Sequence, residues 1–129
     1  MRVVLFQDRF AEKVRAGRKL QTVRRTPKRQ VRVGDVLCRR RWTGFAYGSK
    51  QETLGTAVCE RVRKVRIDPV NGWLEVDGVA QNLFERNRFA KADGFRDFAA
   101  MVGWLRETHG DGVFEGVCWE WMTVVPPTA

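Results

Sequence analysis

Histidine is nearly absent from this 129-residue chain, where His109 stands alone. Chemistry that divides acid and base work between two histidines is therefore excluded. Cysteine is scarce and odd in number, at Cys38, Cys59 and Cys118, and no Cys-x-x-Cys spacing occurs. That pattern argues against a structural zinc site and reads as three buried free thiols. Carboxylates are not clustered either: Asp93, Asp97 and Glu107 are only loosely grouped, which gives metal-dependent cleavage little to work with. No metal and no cofactor is read from the chain. No apolar run approaches the length of a membrane span, so no membrane partner is expected. The opening residues Met1 to Asp8 lack the apolar core of a signal peptide, and the expected location is cytoplasmic. There is no internal repeat and no low-complexity segment.

Positive charge is plentiful. Lysine and arginine number 24 against 15 acids, for a net charge of +9 and a pI near 10.3. A domain this basic usually meets a polyanion, and nucleic acid is the commonest one. The alternative is arginine used merely for solubility. Clustering speaks against it: Arg24, Arg25, Lys28, Arg29 and Arg32 form one group, Arg39 to Arg41 a second, and Arg61, Arg63, Lys64 and Arg66 a third. An uneven basic surface is what binding to a phosphate backbone requires. The hydrophobic fraction of 43% and charged fraction of 30% are ordinary for one globular domain.

Residues 3–6 read as a strand. Asp8 can cap a helix over about 9–16 that turns Phe10 and Val14 inward, and Gly17 ends it. Leu20 to Arg25 and Val36 to Trp42 read as strands, the second with Cys38, Arg40 and Trp42 on one face. Leu54 to Ile67 is a long β-rich run, bent or bulged where its phase slips after Val62. Asn71-Gly72 marks a hairpin back to a strand over Trp73–Val76. A helical turn follows from Gln81 or Asn82 through Leu83, Phe84 and Phe89. Phe95, Phe98, Met101, Val102 and Leu105 recur at helical spacing, which predicts a helix over 95–108 ended by His109 and Gly110. Asp93 is a natural N-cap for it. His109 then reads as a structural helix-end residue. A last strand over 113–124 carries Trp119 and Trp121 on one core-facing side. The tail Pro126 to Ala129 is expected to be disordered. This order fits an α+β domain: a small, partly closed, mostly antiparallel β-barrel with peripheral helices, over residues 1–125.

One stretch concentrates reactive side chains, Gly17-Arg18-Lys19-Leu20-Gln21-Thr22-Val23-Arg24-Arg25. If the chain turns tightly at Gly17 into a strand, Lys19 and Thr22 converge. Lysine beside a hydroxyl is one way to activate that hydroxyl as a nucleophile, and arginine beside it offers a fork for phosphate or carboxylate. The plainer alternative is a helix-ending glycine followed by a basic surface strand, and both stay open on sequence alone.

Phe10 with Ala16-Gly17-Arg18-Lys19-x-x-Thr22-Val23-Arg24, the Val33-Gly34-Asp35-Val36-Leu37 turn, Ala92-Asp93-Gly94-Phe95 and Phe114-Glu115-Gly116-Val117 together resemble the motifs of ASCH domains, a branch of the PUA-like barrels. The resemblance runs from about 6 to 121. It implies a barrel with a cleft facing the Gly-x-Lys-x-x-Thr segment, and RNA binding. It also implies, as in some members, hydrolysis of N4-acetylcytidine by a Lys–Thr–Glu set, or RNA cleavage. Carried over by motif, Lys19 is the base and Thr22 the nucleophile. Asp93 stands where the family has a glutamate one methylene longer. Burial and the neighbouring Arg18 and Arg24 are expected to lower the Lys19 pKa. Backbone amides near Gly17 or Gly44 are candidates for an oxyanion hole. This chain is longer than the compact deacylating members around 43–53 and 68–80.

RNA or a nucleotide-containing ligand is the expected partner. Its grip falls to Arg18, Arg24, Arg25, Lys28, Arg39, Arg40 and Arg41, with Trp42 and Tyr47 as stacking platforms for bases. Phe45 and Tyr47 equally fit a loop folded onto the barrel. Lys19, Thr22 and Asp93 are the candidate catalytic set. An RNA-binding module, an amidohydrolase acting on a small acylated nucleoside and a ribonuclease remain open, the last two sharing one cleft.

Overall fold

The computed structural model describes residues 1–43, 50–122 and the backbone of 124–125. The expectations for Gly44, Phe45, Tyr47 and the tail from Pro126 onward lie outside the described residues. The chain is α+β. Its elements run β1 (Arg2–Phe6), α1 (Asp8–Arg15), β2 (Gln21–Arg25), β3 (Val36–Trp42), β4 (Gln51–Val58), β5 (Arg61–Asp68), β6 (Trp73–Val76), β7 (Val79–Ala80), α2 (Leu83–Ala92), α3 (Phe98–His109), β8 (Phe114–Glu120) and β9 (Val124–Val125). The strands form two sheets, ordered β1-β3-β4-β9 and β2-β8-β5-β6-β7. Only β1 and β3 pair in parallel; the other pairs are antiparallel. Among the described residues no strand ladder joins the two sheets into a closed barrel.

Both sheets and all three helices feed one core. Val4, Leu37 and Leu54 come from the first sheet, Ile67, Leu74 and Val117 from the second, and Phe10, Ala90 and Met101 from the helices. No helix is long and apolar enough to cross a membrane among the described residues.

Local chemistry corrects several sequence expectations. Residues 54–67 are not one bulged strand. The chain breaks at Cys59-Glu60, where it leaves one sheet for the other and is pinned by Gly34 N to Cys59 O (2.7 Å) and Cys59 N to Asp35 O (2.8 Å). β5 then pairs with β8 without interruption from Arg61 to Ile67, so no slip follows Val62. The irregularity sits instead between β3 and β4, where Arg39 opposes Gly55 but Arg40 opposes Thr53. That bulge breaks the simple alternation expected for Cys38, Arg40 and Trp42.

The helix starts also shift. Gln7 is the N-terminal cap residue of α1, and Asp8 lies inside its first turn. Asn82 opens α2 through a reciprocal capping box with Glu85. Asp97, not Asp93, caps α3 by accepting from Ala100 N at 2.8 Å. Asp93 closes α2 instead. The sequence reading also missed β7, reached through Asp77 and Gly78, whose positive φ of 50° and 80° suit a tight hairpin turn. The strand expected over 113–124 is β8, which ends at Glu120, and Trp121 instead donates its backbone N–H to Leu20 O at 3.0 Å.

A buried cation pair beside a threonine

Two chain reversals build the site. α1 ends in a left-handed Gly17 (φ 74°), after which Arg18 N and Lys19 N both return to Lys13 O at 2.8 and 3.0 Å. The chain enters β2 beside the end of α2, with Leu20 N bonded to Ala92 O at 2.9 Å. At that helix end Asp93 is followed by Gly94 at φ 95°. A Cβ on Gly94 would lie 3.3 Å from Lys19 Cδ, so the bare glycine makes room for the lysine stem. The ammonium thus arrives at Asp93 from a residue far away in sequence.

Lys19, Thr22 and Asp93 are 2%, 3% and 4% exposed. Lys19 Nζ lies 3.3 Å from Asp93 Oδ2 and also donates to the Asp93 backbone carbonyl. It sits 4.7 Å from the centre of the Phe10 ring. Gln21, between the two candidate residues in sequence, reaches Asp93 Oδ1 at 3.5 Å and Phe89 O at 3.3 Å. Burial pushes the Lys19 pKa down, with Asp93 opposing and Arg24 adding a smaller push downward. Burial likewise pushes the Asp93 carboxyl up against the pull of Lys19. Both shifts favour the uncharged forms, so a proton shared by the pair is held less firmly by the lysine than it would be in water. Arg18 is exposed at the turn; burial, rather than Arg18, lowers Lys19.

Thr22 has its own cation. Arg24 Nε donates to Thr22 Oγ1 at 2.9 Å, while its Nη2 is fixed to Leu5 O at 2.7 Å. The threonine oxygen therefore accepts from a guanidinium and keeps its own hydrogen free to donate. Arg24 lies 5.0 Å from the Phe6 ring centre.

These groups line one cavity of about 320 Å³. Its walls include Leu5, Phe6, Phe10, Val23 and Trp104, and Arg25, Thr108, His109 and Gln7 complete the lining. Trp104 packs edge-on to Phe10 with ring centres 5.7 Å apart, and His109 stands 5.9 Å from Trp104 and 5.1 Å from Phe114. Burial and then Arg25 lower the His109 pKa, which favours a neutral ring. Trp104 Nε1 donates to Gln7 Oε1 at 3.2 Å. An indole N–H can only donate, so the Gln7 amide group keeps its own N–H donors available. An apolar, aromatic chamber with a few convergent polar groups is the usual form of a small-molecule site.

The structure thus brings together Lys19, Thr22, Asp93, Arg24 and Arg25. It adds Gln21, Trp104, Gln7 and His109, the last of which sequence reading assigned a purely structural role. Gln21 had a signal, its place between Lys19 and Thr22. Trp104 and His109 needed the packing of α3 against α1 to be found.

Other candidates are elsewhere. Arg39 is fully buried, its guanidinium over the Trp121 ring at 5.4 Å and bonded to Gly55 O and Thr56 O at 3.3 and 3.4 Å. It is a core residue, because it lies two positions from the buried Leu37 on the same inward face of β3 and opposite Gly55, and it does not grip a polymer from the surface. Arg41 is held between Asp8 (3.0 Å) and Glu52 (2.7 Å), and Arg40 reaches Cys38 Sγ at 3.2 Å and Gln51 at 3.4 Å. Trp42 is half-buried at the end of β3, apart from the cavity, and Lys28 is exposed. Among the described residues, no three His, Cys, Asp or Glu side chains gather as a metal site. No family model, no curated protein and no solved structure matches this chain.

Proposed function

We propose that the cavity binds a nucleobase and supports hydrolysis of an acyl amide carried on it, with Lys19, Thr22 and Asp93 as the reacting groups. The observation that carries this reading is the buried Lys19–Asp93 pair opening into the same aromatic chamber as Thr22. Flat walls and edge donors suit a heteroaromatic ring. The ASCH-like motifs point the same way, since Lys19, Thr22 and Asp93 are the positions they single out. Two sheets around one core, with β2 and the end of α2 forming the cleft, are compatible with a PUA-like barrel.

The chemistry runs through an acyl-threonine. Neutral Lys19 takes the Thr22 proton as Oγ1 bonds to the amide carbon and the carbonyl electron pair moves onto its oxygen, and Arg24, bonded to Oγ1, is the cation beside that developing oxyanion. The C–N bond breaks as the leaving amine takes a proton from Lys19. Water then attacks the acyl carbon and gives a proton to Lys19, which passes it to Thr22 Oγ1 as the acyl–oxygen bond breaks, so that the acid leaves and Lys19 is neutral again. Asp93 orients Lys19 and shares its proton. The aspartate is shorter than the family's glutamate, yet the close approach of the α2 end to β2 brings it within 3.3 Å of Nζ.

The test is turnover of N4-acetylcytidine, with Thr22→Ala and Lys19→Ala as controls. Release of acetate that both substitutions abolish supports the reading. Acetate release that survives both, or RNA cleavage lost with them in place of deacylation, overturns it.

RNA gripping is a second reading, favoured by one observation: Arg25, Lys28, Arg29 and Arg32 stay exposed on the β2 side. Salt-sensitive RNA binding that survives both alanine substitutions supports it.

A further inference from the structure

A second cleft abuts the base pocket. It is lined by Arg2, Val3, Val4, Leu5, Arg24, Arg25, Pro27 and Trp119 and measures about 250 Å³. Leu5, Arg24 and Arg25 line both cavities, so the two meet along β1 and the end of β2. Three of its lining residues are arginines, and no acid lines it. Arg2 is braced over the Trp119 ring at 5.4 Å and donates one guanidinium nitrogen to Arg29 O at 3.0 Å. Arg25 lies against the Phe114 ring at 5.3 Å and has no hydrogen bond or ion pair among the described residues. Opposite Arg24 and Arg25 across β8 stand Val117 and Gly116, so the sheet supplies no counter-charge.

Elsewhere Arg15, Arg41, Arg61, Arg63, Arg66, Arg96 and Arg106 each reach a carboxylate, whereas no acid meets Arg2 or Arg25 among the described residues. Guanidinium groups that are oriented by stacking and left without an anion form a ready fork for phosphate oxygens. The spacing of the two cavities matters as much as the charge. A base seated against Trp104 and His109 would direct its sugar toward Leu5 and Arg25, where the cavities join.

We propose that the cleft of Arg2, Arg24 and Arg25 is a phosphate subsite, and that the ligand of the neighbouring base pocket is therefore a nucleotide unit bearing a phosphate mono- or diester, not a free nucleoside. The proposal rests on the base-pocket reading above and narrows its substrate. It also gives part of the net positive charge a specific task, whereas a free nucleoside makes no use of it.

The experiment is calorimetric titration of the full chain with cytidine, cytidine 5′-monophosphate, cytidine 3′-monophosphate and the dinucleotide CpC, at low and high salt. The expected result is at least about tenfold tighter binding of a phosphorylated ligand than of cytidine, as charge-assisted bidentate contacts provide. That advantage should shrink as salt rises, and which ligand benefits tells monoester from diester and one sugar oxygen from the other. Arg2→Gln and Arg25→Gln should each collapse the ratio toward one, whereas Arg61→Gln should preserve it. Equal binding of cytidine and all three phosphorylated ligands overturns the phosphate subsite and leaves the base pocket standing. A ratio lost equally in Arg61→Gln overturns it in favour of diffuse charge. Binding of none of the four overturns the base pocket and the subsite together. The comparison of ligands on the unaltered chain needs no variant to fold.

Discussion

The second sheet uses arginine in opposite ways at its centre and at its edge. On β5, Arg61 and Arg63 both meet Glu120, at 2.7 and 2.6 Å, and Arg66 spans Glu115 and Glu75 at 2.8 and 3.3 Å. The partners are cross-strand neighbours on β8 and β6, supplied by the pairing register itself. At the β2 edge, Arg24 and Arg25 face apolar residues across the ladder, and the one buried acid in reach, Asp93, belongs to Lys19. The same side chain is thus a solvated surface brace in one place and an available cation in the other. What separates them is the residue opposite, which neither net charge nor clustering along the chain reveals.

That contrast can be broken at several points. Replacing Lys19 with alanine should remove the base and lower deacylation by about 10²–10⁴-fold, the usual range for a positioned proton-transfer group, with the loss read in kcat. Gly116→Ala strikes the edge through packing, because a Cβ there would fall 2.1 Å from the Arg24 carbonyl. Overpacking of this kind costs about 1–3 kcal/mol, so denaturant unfolding should show that loss together with a displaced β2. No loss of stability would mean that β2 is not held as tightly as the register implies.

Asp93→Asn tests the proton balance. Burial lowers the Lys19 pKa and Asp93 raises it, so removing the carboxylate should lower it further. The rate should rise with pH as Lys19 loses its proton, at a pH below that of a free lysine. In the asparagine variant that rise should move to lower pH. A rise that moves upward, or stays put, would sink the assignment of Lys19 as base. The smallest effect is expected from Glu120→Gln, which frees Arg61 and Arg63. Partly exposed pairs contribute at most about 1 kcal/mol, so stability should fall little and turnover not at all. Salt-dependent binding of nonspecific nucleic acid should strengthen slightly, which would turn the central arginines into edge-like ones.

Much of this was legible in the chain. Gly17 announced the turn into β2 that puts Lys19 and Thr22 in the lining of one cavity, and the α+β order followed from periodicity and glycine placement. Asp93, singled out by the family resemblance of its Asp-Gly-Phe context, lies in the same cavity as Lys19 and Thr22, while the helix-cap role also read for it belongs to Asp97. What failed depended on partners remote in sequence. Arg39 read as a surface charge from its place in an arginine run, although alternation with Leu37 puts it on the inward face, where Gly55 opposite and the Trp121 ring receive it. The break at Cys59-Glu60 was hidden because both flanking segments are strong strand formers. Trp104 fell off the main apolar stripe of α3 and His109 read as a helix end, so nothing local showed that they close the chamber over Phe10.

The Lys19–Asp93 contact joins residues 74 apart in sequence. Between them lie β2 to β7 and all of α2, so the pair forms only when most of the chain has already found its place. Long-range contacts of this kind are late and slow to form. On the proposed mechanism a newly made or partly unfolded chain would carry Thr22 without its base, and reactivity would arrive as a last act of folding. The same geometry makes the α2 end and β2 one coupled joint: any opening that parts them would also part Lys19 from Asp93.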